Sequence, residues 1–415
     1  MSSPRHRVVI TGMGVVSPLG GSVAEQAEAL ATGAHGLRAM PDWSAYKGLR
    51  SLVAAPAELR DARAIPRQNR RSMGRMSLFA AQAAQEALRE ARADSTTLGD
   101  GRTGCIAGST TGSAISLSNV FETMLPDRDF TQLQSMQFFQ CLSHTVAMNL
   151  AQYLGLKGML LATNAACASG LQAIGMAFEV IRAGRQDAML CGGAEELHPT
   201  VTGSFDMLMA ASTGYNDRPG EASRPFDAAR DGLVCGEGAG ILLIESLERA
   251  RQRGAPILAE ILGFQTCGGG GHISESNREG IARCMQDALA DAGCGPGAVE
   301  YVSAHATGTL QGDGEEAAAI REVLGGAVPV SSLKGHLGHT LGASGAIELA
   351  AVVRGLREGR LYPTRNLETV AESCRGVRHV VTLETTRARV FLKNSFAFGG
   401  INATLICRLQ PEESA

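Results

Sequence analysis

Cys167 is the residue of this sequence best placed to act as a nucleophile. It stands in the small-residue run NAACASG, residues 164–170, between a short apolar segment and a long apolar helix. The N-terminus of a helix carries partial positive charge and free N–H groups, which favour a thiolate and can lower the pKa of a cysteine. Those N–H groups can also hold a carbonyl oxygen as it becomes an oxyanion. The pattern predicts a nucleophilic cysteine, although a buried, inert cysteine fits the local sequence equally well.

Two histidines of the second half stand at comparable positions. His305 follows an apolar segment and begins a Thr/Gly-rich loop, and His339 ends a Gly-rich turn before another helix. A histidine near the positive end of a helix can stay neutral and donate a hydrogen bond. Each histidine alone is more often structural, but the three residues at equivalent strand ends favour one shared site. His336 and His339 have the spacing of a metal pair, yet no third ligand stands nearby, so we expect no metal there.

Lys334 lies in the same apolar, Gly-rich stretch as His339. A lysine buried at the end of a strand needs a partner that favours its charged form. Glu316 is the candidate partner, on a predicted helix that also carries Asp313. We therefore expect Lys334 and Glu316 to form an ion pair.

The elements that would position these residues repeat in order along the chain. The first half predicts strands over 7–11, 104–107, 160–163 and 187–193, and helices over 23–31, 71–93 and from 170 to 183. The second half predicts strands over 257–264, 300–304, 329–332 and 403–408, and helices over 279–293 and 343–358. An internal duplication in one layered α/β domain is the economical interpretation. Its halves are 1–255, with Cys167, and 256–415, with both histidines.

Composition excludes several classes of protein. The chain has 415 residues, a net charge of -3 and only 4% aromatic residues, which argues against a nucleic-acid partner. Its 10 cysteines include no C-x-x-C pair, so neither a disulfide framework nor a zinc site is expected. We also see no leader peptide and no apolar run long enough to span a bilayer. These features predict a cytoplasmic protein with no membrane partner.

Five blocks of sequence together resemble the elongating β-ketoacyl-acyl-carrier-protein synthases of the thiolase superfamily, over essentially the whole chain. The blocks are 164–170, 224–227 (RPFD) with 236–240 (GEGAG), 305–309 (HATGT), 334–339 (KGHLGH) with 342–345 (GASG), and 394–400 (NSFAFGG) with Asn402. The resemblance implies a thiolase-like fold of five layers, α-β-α-β-α, and a dimer. It also implies a decarboxylative Claisen condensation with malonyl-acyl carrier protein, and makes Cys167 the nucleophile.

The resemblance implies a role for each catalytic residue. Cys167 would take an acyl group from the phosphopantetheine arm of a carrier protein, as a thioester. His305 and His339 would stabilise the enolate that forms when the malonyl group loses carbon dioxide. Lys334, held by Glu316, would help to set the charge state around the histidines. No cofactor other than the carrier's arm is implied.

Further residues are implied around this centre. The backbone N–H groups of Cys167 and Phe398 would form the oxyanion hole, and Phe398 would also act as a gate for the acyl chain. Thr307 and Thr309 would bind the pantetheine arm. An acidic acyl carrier protein would dock on a basic cluster around the start of the 71–93 helix. That cluster consists of Arg67, Arg70, Arg71 and Arg75.

Several positions depart from the family pattern. Ala306 and Ala397 stand where the family has glycine, and each added methyl group is expected to stiffen its loop. Ser303 and Lys393 stand where cation-binding relatives have Asn and Ser, so we expect no metal ion there. The loop at 109–111, Ser-Thr-Thr, is more polar than a long alkyl tunnel would need. These departures favour a specialised type II polyketide or polyene synthase over ordinary fatty-acid elongation.

Other roles remain open at this stage. The chain could load chains as a decarboxylase or acyltransferase without efficient elongation. It could be a homodimer, or it could work only in a heterodimer with a chain-length-factor-like subunit. A cysteine hydrolase is the remaining alternative.

Overall fold

A computed structural model gives the structure of residues 5–273 and 275–409. The strands of these residues are β1 (Val8–Val16), β2 (Arg38–Ala39), β3 (Val53–Ala54), β4 (Thr103–Gly108), β5 (Leu160–Leu161), β6 (Ala188–Glu195), β7 (Gly238–Ser246), β8 (Ala259–Gly268), β9 (Tyr301–Ser303), β10 (Pro329–Ser331), β11 (Arg360–Leu361), β12 (Arg378–His379), β13 (Glu384–Thr385), β14 (Val390–Ala397) and β15 (Ile401–Leu409). The α-helices are α1 (Val23–Ala31), α2 (Arg67–Arg70), α3 (Arg75–Glu90), α4 (Ser95–Leu98), α5 (Ala114–Met124), α6 (Gln137–Cys141), α7 (Thr145–Leu154), α8 (Ser169–Arg182), α9 (Pro199–Met207), α10 (Leu247–Gln252), α11 (Arg278–Asp291), α12 (Gly312–Leu324), α13 (Lys334–Leu337) and α14 (Ser344–Arg357).

One large mixed sheet carries the duplication predicted from the sequence. Its order is β12-β10-β9-β14-β15-β8-β1-β7-β6-β4-β5. The first half contributes β5-β4-β6-β7-β1, with two parallel pairings followed by two antiparallel ones. The second half contributes β10-β9-β14-β15-β8 with the same sequence of pairings. The two halves join where β1 pairs with β8, from Val8 opposite Ile261 to Ile10 opposite Ala259.

The helices and the two half-sheets stack in five layers. The first half-sheet has α3 and α7 on its outer face, and the second has α11, against which α12 packs. Between the half-sheets lie α8 and α14, which pack against each other and against strands of both halves. The thiolase-like α-β-α-β-α arrangement is therefore confirmed. Because the central apolar core mixes side chains of both halves, the two units share one core.

Helices α8 and α14 pack against each other with their N-terminal ends side by side. Leu171, Ile174 and Phe178 recur at helical spacing on α8 and are buried. A Cβ atom on Gly170 would lie 2.6 Å from the carbonyl oxygen of Gly342, and one on Gly345 would lie 2.7 Å from the amide nitrogen of Leu171. Only glycine permits this approach, which places the residues just before each helix near one another.

Several element boundaries differ from the sequence-based expectations. The helix at 23–31 is confirmed by α1. The helix expected over 71–93 is shorter and corresponds to α3, because the backbone is extended at Gly74 before α3 begins. The expected strand over 160–163 is reduced to Leu160–Leu161. The expected division at residue 255 falls between α10 and β8 and remains a proposal.

In the described part of the chain, no helix has the length and apolarity that crossing a membrane requires.

Candidate active site

Cys167 lies on the turn that leads from β5 into α8. It occupies a short 3-10 helix, residues Ala166–Ala168, immediately before Ser169 begins α8. Ala166 has a positive φ of 45°, a conformation that costs energy in a residue with a side chain. The Ser169 hydroxyl stabilises the turn by accepting from the Ala165 amide at 2.9 Å and donating to the Ala166 carbonyl at 2.7 Å. The turn thus presents the thiol at the N-terminal end of α8.

Burial dominates the electrostatics of the thiol. Cys167 is only 5% exposed, and desolvation raises the pKa of its thiol to about 12, with the Lys334 ammonium acting in the opposite direction. The lowered pKa expected from the helix N-terminus is therefore wrong for this closed pocket, because burial penalises the thiolate more than nearby positive charge favours it. A proton acceptor must take the thiol proton when Cys167 reacts.

His305 begins a loop that two buried carboxylates hold from behind. It follows β9, and Glu316 on α12 accepts from the amides of His305 and Ala306 at 2.8 and 2.6 Å. Asp313, on the same helix, accepts from the amides of Thr307 and Gly308 at 3.0 and 3.1 Å. Burial raises the pKa of Asp313 to about 6 and raises the pKa of Glu316 as well. The loop geometry therefore depends on carboxylate oxygens facing four backbone N–H groups.

His339 is fixed through its backbone, and its ring faces the same cavity. Its amide donates to the Val234 carbonyl at 2.7 Å, and its carbonyl accepts from the Gly236 amide at 2.8 Å. Neither ring nitrogen of His339 has a hydrogen-bond partner among the described residues, and Nδ1 of His305 also has none there. The two imidazole rings are 5.1 Å apart at an angle of 82°. Nitrogen atoms buried without a partner are costly, so the arrangement suits a ligand that hydrogen-bonds to them.

Both imidazoles are held neutral. Burial lowers the pKa of His305 and of His339 well below the ordinary value, and the charges of Lys334 and Lys393 lower both further. A neutral imidazole offers one N–H group to an oxygen that gains negative charge, without first having to lose a proton. The pair is suited to stabilising an anion rather than to removing a proton.

Cys167, His305 and His339 line one small cavity together with Phe396 and Phe398. Its volume is about 40 Å³, which is room for no more than a few water molecules. An outer pocket of about 190 Å³, which Thr309 and Phe398 also line, leads towards the surface. The Phe398 ring lies 6.0 Å from the ring of Phe205, which faces a wider groove of about 940 Å³. Phe398 therefore stands between the cavity and the space around it.

Thr307 and Thr309 lie on the route into the cavity, and both line it. The Thr307 hydroxyl donates to the Thr309 hydroxyl at 3.2 Å, so the two side chains face each other. Ala306 and Ala397 do not adopt the left-handed backbone conformation, whereas Gly308, Gly399 and Gly400 have φ values of 88°, 88° and 73°. The glycines that supply conformational freedom are thus retained in both loops.

The partner of Lys334 is Glu348 rather than Glu316. The ammonium of Lys334 lies 2.6 Å from Oε1 of Glu348, and both side chains are almost fully buried. Glu316 is committed to the His305 loop and accepts from the Asn394 amide group at 3.1 Å. The expected Lys334–Glu316 pair is therefore wrong. Glu348 was missed, although a single carboxylate among the apolar residues of α14 was a readable signal.

The four arginines of the predicted docking cluster have different environments. Arg67 and Arg71 are exposed, whereas Arg70 is half-buried and donates to the Ile65 carbonyl at 2.9 Å. Arg75 makes a bidentate pair with the buried Glu237, at 2.8 and 3.0 Å. The guanidinium of Arg75 is therefore engaged within the fold, and the accessible part of the cluster is Arg67 and Arg71.

Known proteins resemble nearly the whole chain, both in sequence and in fold. Residues 5–250 match the model of the β-ketoacyl synthase N-terminal domain, and residues 258–368 match that of the C-terminal domain. A 3-oxoacyl-[acyl-carrier-protein] synthase 1 from Haemophilus influenzae is 35% identical over 97% of this chain and 98% of its own length. A β-ketoacyl synthase from Burkholderia phymatum STM815 superposes with a TM-score of 0.94 and 42% identity, covering 98% of this chain and 100% of that one.

A second similar structure contains a carrier protein. It is a type II PKS acyl-carrier protein in complex with its ketosynthase bound to the hexaketide. It has a TM-score of 0.89 and 30% identity to this chain, and it covers 98% of this chain and 100% of that one.

Proposed function

The chain belongs to the β-ketoacyl synthase family, and we propose that it joins an acyl group held on Cys167 to a malonyl group on an acyl carrier protein, with loss of carbon dioxide. The observation that carries the proposal is one buried cavity lined by a thiol and two neutral imidazoles, in which three ring nitrogens have no partner among the described residues. The product is a β-ketoacyl-carrier protein two carbons longer than the starting acyl chain.

Acyl transfer is the first step. The Cys167 sulfur attacks the thioester carbonyl of the carrier's phosphopantetheine arm, and the bond to the carrier sulfur breaks. The carrier thiol leaves with the proton that Cys167 releases, so that charge balances over the step. The amides of Cys167 and Phe398 hold the oxyanion, an interaction often worth about 3 to 4 kcal/mol per donor. No free cofactor is required, because the arm arrives on the carrier protein.

Decarboxylation and condensation follow on the second carrier protein. The bond between the malonyl carboxylate and the α-carbon breaks, carbon dioxide leaves, and the electron pair moves to the thioester oxygen as an enolate. His305 and His339 donate hydrogen bonds to that oxygen. The α-carbon then attacks the Cys167 thioester, and the cysteine sulfur departs as a thiolate that takes up a proton from water to restore the thiol. Lys334 acts indirectly, because its positive charge lies beside both imidazoles and lowers the pKa of each.

Substrate entry requires Phe398 to move. A cavity of about 40 Å³ cannot accept an acyl chain, and Phe398, which lines both this cavity and the outer pocket, lies between them. Thr307 and Thr309 face the pantetheine arm on its way in. The exposed Arg67 and Arg71 are proposed to meet the acidic carrier protein, and Arg70 and Arg75 support that surface from within the fold.

The substrate class proposed is that of a specialised type II polyketide or polyene synthase. Support comes from Thr110 and Thr111, two polar side chains in a groove that is otherwise largely apolar, with Leu117 and Phe121 beside them. The similarity to a ketosynthase bound to a hexaketide supports the same substrate class.

We further propose a cytoplasmic location, because all 10 cysteines are free, as in a reducing compartment.

Intact-mass measurement on the wild type and Cys167→Ala tests the proposal. Each protein is incubated with a panel of acyl-carrier proteins and then with malonyl-carrier protein. Acylation of the wild type alone, followed by a product two carbons longer, is the expected result. Carbon dioxide release without that product would instead assign a loading role. Absence of acylation in a folded homodimer would overturn stand-alone activity and direct the search to a partner subunit.

A further inference from the structure

Lys393 is a second buried ammonium group beside the catalytic centre, and the steps described so far do not use it. It lies on β14 and is fully buried. Its Nζ donates to Oε2 of Glu348 at 2.6 Å and to the Asn394 carbonyl at 2.8 Å. The other oxygen of the same carboxylate, Oε1, is 2.6 Å from Lys334. One buried carboxylate thus bridges two lysines, and the pair carries one positive charge more than Glu348 neutralises.

Lys393 is also joined to His305 through a continuous set of hydrogen bonds. Asn394, whose carbonyl accepts from Lys393, donates through its side chain to Oε1 of Glu316 at 3.1 Å. The same oxygen accepts from the backbone amide of His305 at 2.8 Å. The Thr404 hydroxyl donates to the Asn394 side-chain carbonyl at 2.8 Å and fixes the orientation of that amide. A change at residue 393 therefore reaches the His305 loop through short, buried contacts.

We propose that Lys393 is a positioning residue of the condensation reaction, which holds Glu348 in place for Lys334 and keeps a second positive charge beside the two histidines. The inference rests on the proposed function of this centre. It extends that function, because it assigns part of the electrostatic environment to a side chain that touches neither substrate nor the reacting sulfur.

The sign of the expected pH effect follows from the groups around the histidines. His305 and His339 face Lys334, Lys393 and each other, and both lysines lower the pKa of each ring. The carboxylate of Glu316 lies behind the His305 loop, and Lys393 also lowers its pKa against the effect of burial. Loss of Lys393 therefore raises the pKa of all three groups. The mechanism uses the neutral form of both histidines, and protonation of Glu316 removes acceptor capacity from the His305 loop. As the pH falls, the variant must therefore lose activity at a higher pH than the wild type does.

The experiment compares Lys393→Met and Lys393→Gln with the wild type. The glutamine variant keeps a hydrogen-bond donor without the charge, and Lys47→Met removes a charge from an exposed site as the matched control. Rates of condensation are measured from pH 5 to 9, and the titration of histidine ring protons is followed by NMR on the same samples. We expect the acid limb and the buried histidine titrations to move up by about one pH unit in both Lys393 variants. Neither should move in Lys47→Met.

The outcomes separate this proposal from the one it rests on. Folded Lys393 variants whose rates fall equally at every pH, with unchanged histidine titrations, would make Lys393 a structural residue and overturn the inference. Failure of both variants to fold would do the same. A wild type that forms no condensation product would overturn the proposed function instead, and the NMR titration would still decide the role of Lys393.

Discussion

At the residue scale, the site pairs a thiol that burial keeps protonated with two imidazoles that burial keeps neutral. Desolvation is the first cause of the pKa shift in all three groups, and it acts against the charged form of each. Lys334, Lys393 and Glu348 do not line the cavity, and the Glu316 carboxylate, which does, accepts hydrogen bonds from the His305 and Ala306 amides and from Asn394. Negative charge that develops on a substrate oxygen then meets the N–H donors of two neutral rings.

The two histidines are expected to serve decarboxylation more than acyl transfer. In His305→Ala and His339→Ala, we expect Cys167 to be acylated while carbon dioxide release from malonyl-carrier protein falls at least about 100-fold, since a donor to the enolate is lost. Intact mass measures the first step and a carbon dioxide assay measures the second. The exposed His144→Ala variant should behave as the wild type. Equal loss of both steps in the histidine variants would contradict the assigned roles.

At the element scale, strand and helix order could be predicted from the sequence more fully than the contacts inside the site. The duplicated order of elements was readable from apolar periodicity and from glycines at turns, and the half-sheets confirm it. The single carboxylate of α14 was readable, but its pairing with Lys334 was not, because the packing of α14 against the sheet rather than a local sequence pattern brings Glu348 to Lys334. The burial that raises the pKa of Cys167 also depends on tertiary packing, whereas the helix start was visible locally.

The close approach of α8 and α14 is expected to be intolerant of any added atom. Gly345→Ala would bring a methyl group to 2.7 Å from the Leu171 amide nitrogen, so the helices must separate. We expect a loss of about 1 to 3 kcal/mol in the free energy of unfolding, together with slower acylation, because Cys167 precedes one helix and His339 the other. Denaturant unfolding measures the first effect.

Gly203→Ala is the matched control for this substitution. Gly203 lies within α9, and its nearest neighbour to an added Cβ atom is a Leu49 methyl group at 3.7 Å. That variant should gain about 0.5 to 1 kcal/mol, as expected for alanine in place of glycine within a helix. If Gly345→Ala is as stable as the wild type, the helices are not held as close as their glycines imply.

The proposed docking surface is carried by α2 and the turn after it. Reversing Arg67 and Arg71 to glutamate should raise the KM for carrier-bound substrates several-fold, more at low ionic strength, while alkylation of Cys167 stays unchanged. Reversal of the exposed Arg251 should alter neither quantity. Turnover that does not respond to the double reversal would place the carrier protein elsewhere on the surface.

At the scale of the whole molecule, one segment concentrates unpaired apolar surface. Residues 114–161 connect β4 to β5 and carry Phe121, Leu125 and Phe138, which are 49%, 57% and 64% exposed. Among residues 5–273 and 275–409, β5 lies at the end of the large sheet and pairs only with β4, so its outer edge presents free backbone groups. Exposed apolar side chains beside an open strand edge are typical of an interface between copies of a chain.

We therefore expect the chain to form a homodimer through this edge. Leu160 and Leu161 are 47% and 45% exposed on β5, and lysine at either position would bring a charge into the interface. Sedimentation should show the wild type at twice the 43.3 kDa of one chain and Leu161→Lys at the mass of a single chain. Val381→Lys, at a site 52% exposed near the opposite end of the sheet, should remain dimeric. A wild type that is monomeric and inactive alone, yet active with a second subunit, would contradict the homodimer and favour a heterodimer.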